Sequence, residues 1–134
     1  MMHPAFKHAL VLFHDSDNKW IKQFTKPGFG HCSVMLKSSE NWWLHVNPTF
    51  TGCEWYFIND DGINEFLTKA PNLTCLENKK FVHNQCTVKP ALAGIRSCST
   101  LVSYLIGNKK LRMWPWGLYS DLLELNWRPI YEIH

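Results

Sequence analysis

Two polar breaks constrain the first half of this chain more than any other feature. The turn at Lys26-Pro27-Gly28 opens an apolar run, Phe29 to Leu36, and the short polar link Lys37 to Asn41 separates it from a second run, Trp42 to Val46, closed by Asn47-Pro48. Short apolar runs bounded by turn residues read as strands, and a link this brief between two of them reads as a hairpin. Hairpin pairing makes the strands antiparallel. Ala9 to Phe13 reads as a buried strand before them, and Glu54 to Ile58, Leu73 to Glu77 and Phe81 to Val88 as further strands. Asp60-Asp61-Gly62 makes a turn into a short helix, Ile63 to Leu67. A helix beginning at Cys98 and closed by Gly107, and another over Leu118 to Leu125, complete the pattern. The expected fold is α+β, an antiparallel sheet of about five to six strands packed against the Cys98 helix.

Side chains alternate between faces along a strand, so His31, Ser33 and Met35 share one face and Cys32, Val34 and Leu36 the other. By the same rule Trp43, His45 and Asn47 share a face, and pairing sets them beside His31; a slip of one residue would reverse all of them. Cys32 is expected to stand apart from any site built around His31.

The chain has 134 residues, which suits a single domain (1–134) able to bury about two-thirds of its unfolded surface without disulfide staples. Its five cysteines, at 32, 53, 75, 86 and 98, are odd in number and show no metal-ligand spacing, so free thiols are expected and no metal or other cofactor. Cys75 and Cys86 read as small buried hydrophobes. The start, Met1 to His8, lacks the charged and apolar regions of a secretory signal, and no apolar run is long enough to span a membrane. Fourteen Lys and Arg against eleven Asp and Glu leave a net charge of +3, scattered rather than massed, so nucleic acid is not an expected partner. His3, His8 and His14 have no partner at ligand spacing and read as solvated loop residues. Seven Trp, eight Phe and four Tyr are many for this length, and Trp114-Pro115-Trp116 suggests a groove or partner surface.

The residue that carries chemistry best is Cys98, in Arg96-Ser97-Cys98-Ser99-Thr100-Leu101. A thiol at a helix start meets unpaired amides and the positive end of the helix dipole, both of which favour the nucleophilic thiolate. Such a nucleophile needs a base and a third group to orient the base. His31 is the leading base, with either His45 or Asn47 as its orienter. The Cys98 amide is an expected oxyanion donor, with Gln85 or Asn84 as candidates for a second.

The order of these parts, Gly28-Phe29-Gly30-His31-Cys32-Ser33-Val34-Met35 on a strand, a following strand ending in a polar residue, then Cys98 opening a helix, resembles the circularly permuted papain-like fold. Relatives there include NlpC-like cell-wall peptidases and lecithin:retinol-type acyltransferases. The segments Lys26 to Met35, Trp42 to Pro48 and Cys98 to Gly107 are also similar to small proteins of tailed bacteriophages. The resemblance implies a thiol hydrolase, a peptidase or amidase with Cys98 as nucleophile, His31 as base and a third polar residue orienting it. It implies a peptide or peptidoglycan-peptide substrate, and a location in the host cytoplasm or the virion. The resembling proteins often have an acidic residue where this chain has Asn47; an amide can hold the imidazole tautomer but stabilises an imidazolium less than a carboxylate does. Two other roles fit the same resemblance and composition: a non-catalytic virion subunit of the tail or its tip that binds other chains, and a small regulator of a host protein.

Overall fold

The computed structural model describes residues 6–16, 19, 23, 25–49, 52–69, 73–81, 98–108, 110, 112 and 114–130. Its frame is a six-stranded, wholly antiparallel sheet: β1 (His8–His14), β2 (His31–Lys37), β3 (Trp42–Thr49), β4 (Gly52–Asn59), β5 (Thr74–Asn78) and β6 (Arg128–Ile130), in the spatial order β4-β3-β2-β1-β5-β6. Three helices delimited among the described residues accompany it: α1 (Ile63–Lys69), entered through a 3-10 turn at Asp60–Gly62, α2 (Cys98–Leu105) and α3 (Pro115–Glu124). The expected α+β class and antiparallel sheet are what the chain forms.

β1 and β2 occupy the middle of the sheet, which is why their runs are apolar on both sides: Ala9 to Phe13 and Cys32 to Leu36 are all buried. One face presents Ala9, Val11, Phe13, Cys32, Val34, Leu36 and Val46 to α2 and α3, which supply Val102, Leu118 and Leu122. The other presents Leu10, Leu12, Met35 and Trp43 to Ile63 and Leu67 of α1. Trp43 is fully buried there and donates from Nε1 to Asp60 Oδ1 at 2.9 Å, tying β3 to the turn that launches α1. The expected alternation holds: His31 pairs with His14, Met35 with His45, and Asn47 with Glu54, a register that sets His31, Ser33, Met35, Trp43, His45 and Asn47 in rows on one face.

Several boundaries differ from the sequence reading, each for a local reason. β3 continues through Asn47-Pro48 to Thr49, because beyond Val46 it pairs only with β4, and a one-sided strand tolerates a proline's missing N–H. α3 begins at Pro115 rather than Leu118: proline at the first helical position forfeits an N–H that has no intrahelical partner anyway. The Arg128–Ile130 strand was not foreseen, since three residues with a central proline carry no alternation; it pairs at the sheet edge with β5. The strand expected over Phe81 to Val88 is not seen at Phe81, which follows a turn; its amide bonds to Lys7 O at 3.1 Å, and residues 82–88 lie outside the described residues. α2 ends as expected before Gly107, whose φ of +73° is a left-handed cap that side chains other than glycine's adopt at a cost.

His8 and His14 are not loop residues. They end β1, and His8 Nε2 meets the buried Glu77 carboxylate at 2.9 Å, with Arg128 at 3.4 Å on its other oxygen. The other loop expectation, His3, lies outside the described residues, as do Cys86, Asn84 and Gln85.

The approach to β2 depends on Gly30. Its amide donates to His14 O at 3.0 Å, and a Cβ there would lie 2.7 Å from the Ser16 amide nitrogen and 3.2 Å from both Ser16 Cβ and Thr25 Oγ1. Gly30→Ala must therefore move backbone next to His31. It is expected to lower unfolding free energy by about 1–3 kcal/mol, read as a shifted denaturant midpoint at unchanged slope, whereas an unchanged midpoint would contradict the packing at this turn.

Candidate active site

Cys98 is the first residue of α2, the position at which a helix leaves its amides without intrahelical partners. Ser99, Val102 and Ser103 turn inward and are buried, which seats the helix against β2 and leaves the Cys98 side chain half-buried at the rim. Ser103 Oγ donates back to Ser99 O at 2.6 Å and accepts from the Arg112 amide at 3.3 Å. Arg112 in turn grips Asp121 of α3 with two bonds of 2.6 and 2.9 Å. The helix start is thus held from below by the sheet and from the side by α3.

By alternation His31 belongs to the face opposite α2. It nonetheless reaches Cys98, because His31 is the first residue of β2 and Cys98 the first of α2; at the ends of the two elements the imidazole comes into hydrogen-bonding contact with the sulfur. His31 Nε2 also bonds to Asn47 Oδ1 at 2.7 Å. An amide oxygen only accepts, so Nε2 carries the proton, leaving Nδ1 as the nitrogen available to the sulfur. Asn47 is fixed in its turn by donating from Nδ2 to Glu54 Oε2 at 3.4 Å, a carboxylate that also takes the Tyr56 hydroxyl at 2.6 Å. The polar row therefore runs Cys98, His31, Asn47, Glu54, Tyr56. Glu54 was missed in the sequence, although pairing of β3 with β4 sets it directly across from Asn47.

The second surprise is Cys32. Expected to stand apart, it lies against Cys98: its thiol donates to Ser99 Oγ at 3.6 Å, the Cys98 sulfur lies 3.9 Å from the same hydroxyl, and Cys32 hydrogen-bonds Cys98 through both its thiol and its main chain. Alternation did put Cys32 on the opposite side from His31. The helix start, however, sits at the strand end and touches residues from both rows.

These contacts set the charge of the site. Hydrogen bonding from Cys32 is the largest influence on Cys98; burial opposes it, and the His31 hydrogen bond and charge add to it, bringing the thiol down from its ordinary 9.0 to about 4. At neutral pH Cys98 is a thiolate. Burial drives Cys32 the other way, well above the usual cysteine range, so it persists as the donor thiol. Cys75, buried in the α1 side of the core, is pushed up to about 12, also chiefly by burial.

Of the two candidate orienters, the structure brings Asn47 to His31 and turns His45 elsewhere. His45 Nε2 meets Ser33 Oγ at 3.0 Å, and its ring stacks on Tyr56 with centroids 5.8 Å apart. Burial, followed by repulsion from His31, lowers its pKa to about 4, which favours the neutral ring. His45 and Asn47 together border a pocket of about 550 Å³ with Leu12, Tyr56 and Phe66 on its walls, opening beside the imidazole partner. Aromatic rings thus do line a cavity, but they come from β4 and α1 rather than from Trp114 and Trp116. Those two are exposed by 58% and 39%, Trp116 lying under Lys26 Nζ at 3.5 Å from the ring centre.

Among the described residues, no group of three or more His, Cys, Asp or Glu side chains is arranged to hold a metal ion, and no helix is long and apolar enough to cross a membrane. Neither a protein-family model, nor a curated protein, nor a solved structure matches this chain. What the site can do must be read from its geometry.

The electrostatics predict a reactivity order. Iodoacetamide at mildly acidic pH is expected to alkylate Cys98 well before Cys32, Cys53, Cys75 or Cys86, as followed by peptide mapping. His31→Ala removes a hydrogen bond and a charge that favour the thiolate and is expected to slow Cys98 labelling at that pH. A Cys98 no faster than the other four contradicts the electrostatic account.

Proposed function

We propose that this chain is a thiol acyl hydrolase of the permuted papain-like type, a phage-associated peptidase or amidase with Cys98 as nucleophile, His31 as acid and base, and Asn47 as the residue that orients His31. The observation that carries the reading is the continuous contact from the Cys98 sulfur through His31 to Asn47, with the thiolate the resting form. The Cys98 sulfur attacks the carbonyl carbon of an amide or ester, forming a tetrahedral oxyanion. His31 protonates the departing nitrogen or oxygen, leaving an acyl-Cys98 thioester. It then takes a proton from water, whose oxygen attacks the thioester carbon, and keeps that proton as the acid product leaves, restoring the thiolate beside a protonated imidazole. The main-chain amide at the start of α2 is the candidate oxyanion donor.

The apolar pocket beside Asn47 favours substrates with an apolar group near the scissile bond. A peptide, including the peptide stems of peptidoglycan, meets that description. The site lies in the host cytoplasm or in the particle under this reading.

A second reading, a virion subunit of the tail or tail tip that binds other chains, is favoured by a separate observation. Among the described residues β4 ends the strand order, and it exposes Trp55, Tyr56 and Phe57 by 57%, 47% and 74%. Exposed aromatics on an outer strand suit association with another chain.

One pair of variants separates the two. Cys98→Ala is expected to abolish release of peptides from purified cell walls, a loss of at least about 10³-fold, while leaving the thermal midpoint within a few degrees, since the cysteine is half-buried at a helix start. Trp55→Ala on β4 is expected to weaken binding to partner chains and spare turnover. Cell-wall peptide release that is unchanged in Cys98→Ala removes the hydrolase reading and leaves the structural one.

A further inference from the structure

The hydrolytic role requires one cysteine, yet two meet at the site. Cys32 is fully buried between β2 and α2, its thiol and the Cys98 sulfur flanking the Ser99 hydroxyl at 3.6 and 3.9 Å. Both sulfurs belong to the ends of regular elements packed on one another, so they are held together rather than meeting by chance in a loop. The other described cysteines do not share this position: Cys75 is on the α1 side of the sheet, and the Cys53 thiol points to its neighbour's carbonyl, Glu54 O, at 3.9 Å. All four described cysteines are free thiols.

We propose that Cys98 and Cys32 form a reversible redox pair in which Cys98 reacts with a hydroperoxide and Cys32 resolves the product into a disulfide, withdrawing the nucleophile. This rests on the reading of Cys98 as a reactive thiolate. In the first step the Cys98 sulfur attacks the terminal peroxide oxygen and the O–O bond breaks. The departing hydroxide or alkoxide takes a proton from the His31 imidazolium, leaving Cys98 as a sulfenic acid beside neutral His31. In the second step Cys32 attacks the Cys98 sulfur; the S–S bond forms as the S–O bond breaks, and the Cys32 proton passes to the departing oxygen, which leaves as water. Two thiols together lose two electrons, the hydroperoxide gains them, and the products are one disulfide, one water and one water or alcohol.

The division of labour follows from the surroundings. Cys98 is at the rim, where a small peroxide can reach it, and is charged; Cys32 is sealed in and stays protonated until it attacks, its proton leaving with the sulfenic oxygen. Exchange with an external dithiol, attacking the rim sulfur of the bridge, returns both thiols. The bridge to Cys32 intercepts the sulfenic acid before it climbs to sulfinic acid, which thiols do not reverse.

The test uses the intact chain treated with hydrogen peroxide. The expected result is a mass lower by two hydrogens, a Cys32–Cys98 cross-linked peptide in a non-reducing map, complete loss of iodoacetamide labelling at Cys98, and full return of labelling after dithiothreitol. Cys32→Ala, which removes the largest influence favouring the Cys98 thiolate, is expected to lose Cys98 labelling more slowly and to gain two or three oxygens instead of a bridge, with labelling not regained after dithiothreitol. Wild-type protein whose Cys98 gains two oxygens without a bridge overturns the proposal. Labelling of untreated protein at mildly acidic pH keeps the two readings apart: fast labelling with no bridge sinks the redox pair alone, and slow labelling sinks the thiolate and the redox pair with it.

Discussion

The register of β2 between β1 and β3 is the constraint on which the rest depends. With His14 across from His31 and Val34 across from Val46, one row of β2 side chains faces α1 and the other faces α2 and α3. Both faces are buried, so a slip of one residue would drive the polar His31 and Ser33 into the larger apolar core, away from their partners. A polar side chain buried without its hydrogen bonds costs about 1–3 kcal/mol, a large share of the stability of an ordinary domain. The packing of a greasy core thereby decides where the polar atoms of the site stand.

From that register the chemistry follows in short steps. His31 and Asn47 fall in the same row at the end of the sheet where α2 begins, and the Cys98 sulfur arrives there because Ser99, Val102 and Ser103 lock α2 onto β2. The sulfur receives hydrogen bonds from Cys32 and His31 in a partly dehydrated setting, where such bonds favour the charged form more than they would in open water. His45, one pair of residues further into the sheet, sits too deep to share that role: burial keeps it neutral and Ser33 occupies its Nε2. Asn47 reaches His31 because β3 is paired only with β4 at that point and its amide lies toward the end of the sheet where β2 begins.

Much of this was legible in the residues, and the gaps have physical causes. The central strands could be read because turns bracket them and their apolar content is high, and the Cys98 helix because glycine closes it. Alternation correctly grouped His31, His45 and Asn47. It could not choose between the last two, since that depends on depth along the strand rather than on face. It also separated Cys32 from His31 correctly while missing that a helix start at the strand end touches both rows. Glu54 escaped notice because its role exists only through the β3–β4 register. The Arg128–Ile130 strand and the first turn of α3 each turn on a proline, which punctuates a sequence without saying whether it closes an element or opens one.

The central claim is that the junction of β2 and α2 holds Cys98 as a thiolate. The difference in far-ultraviolet thiolate absorbance between the wild-type chain and Cys98→Ser, followed from acid to alkaline pH, tests it most directly. The account predicts that one thiolate's absorbance appears with a midpoint near 4 and is complete by neutrality, and that the midpoint rises in His31→Ala. A difference signal that stays absent through neutrality and emerges only near the ordinary cysteine value, about 8.5, would contradict it.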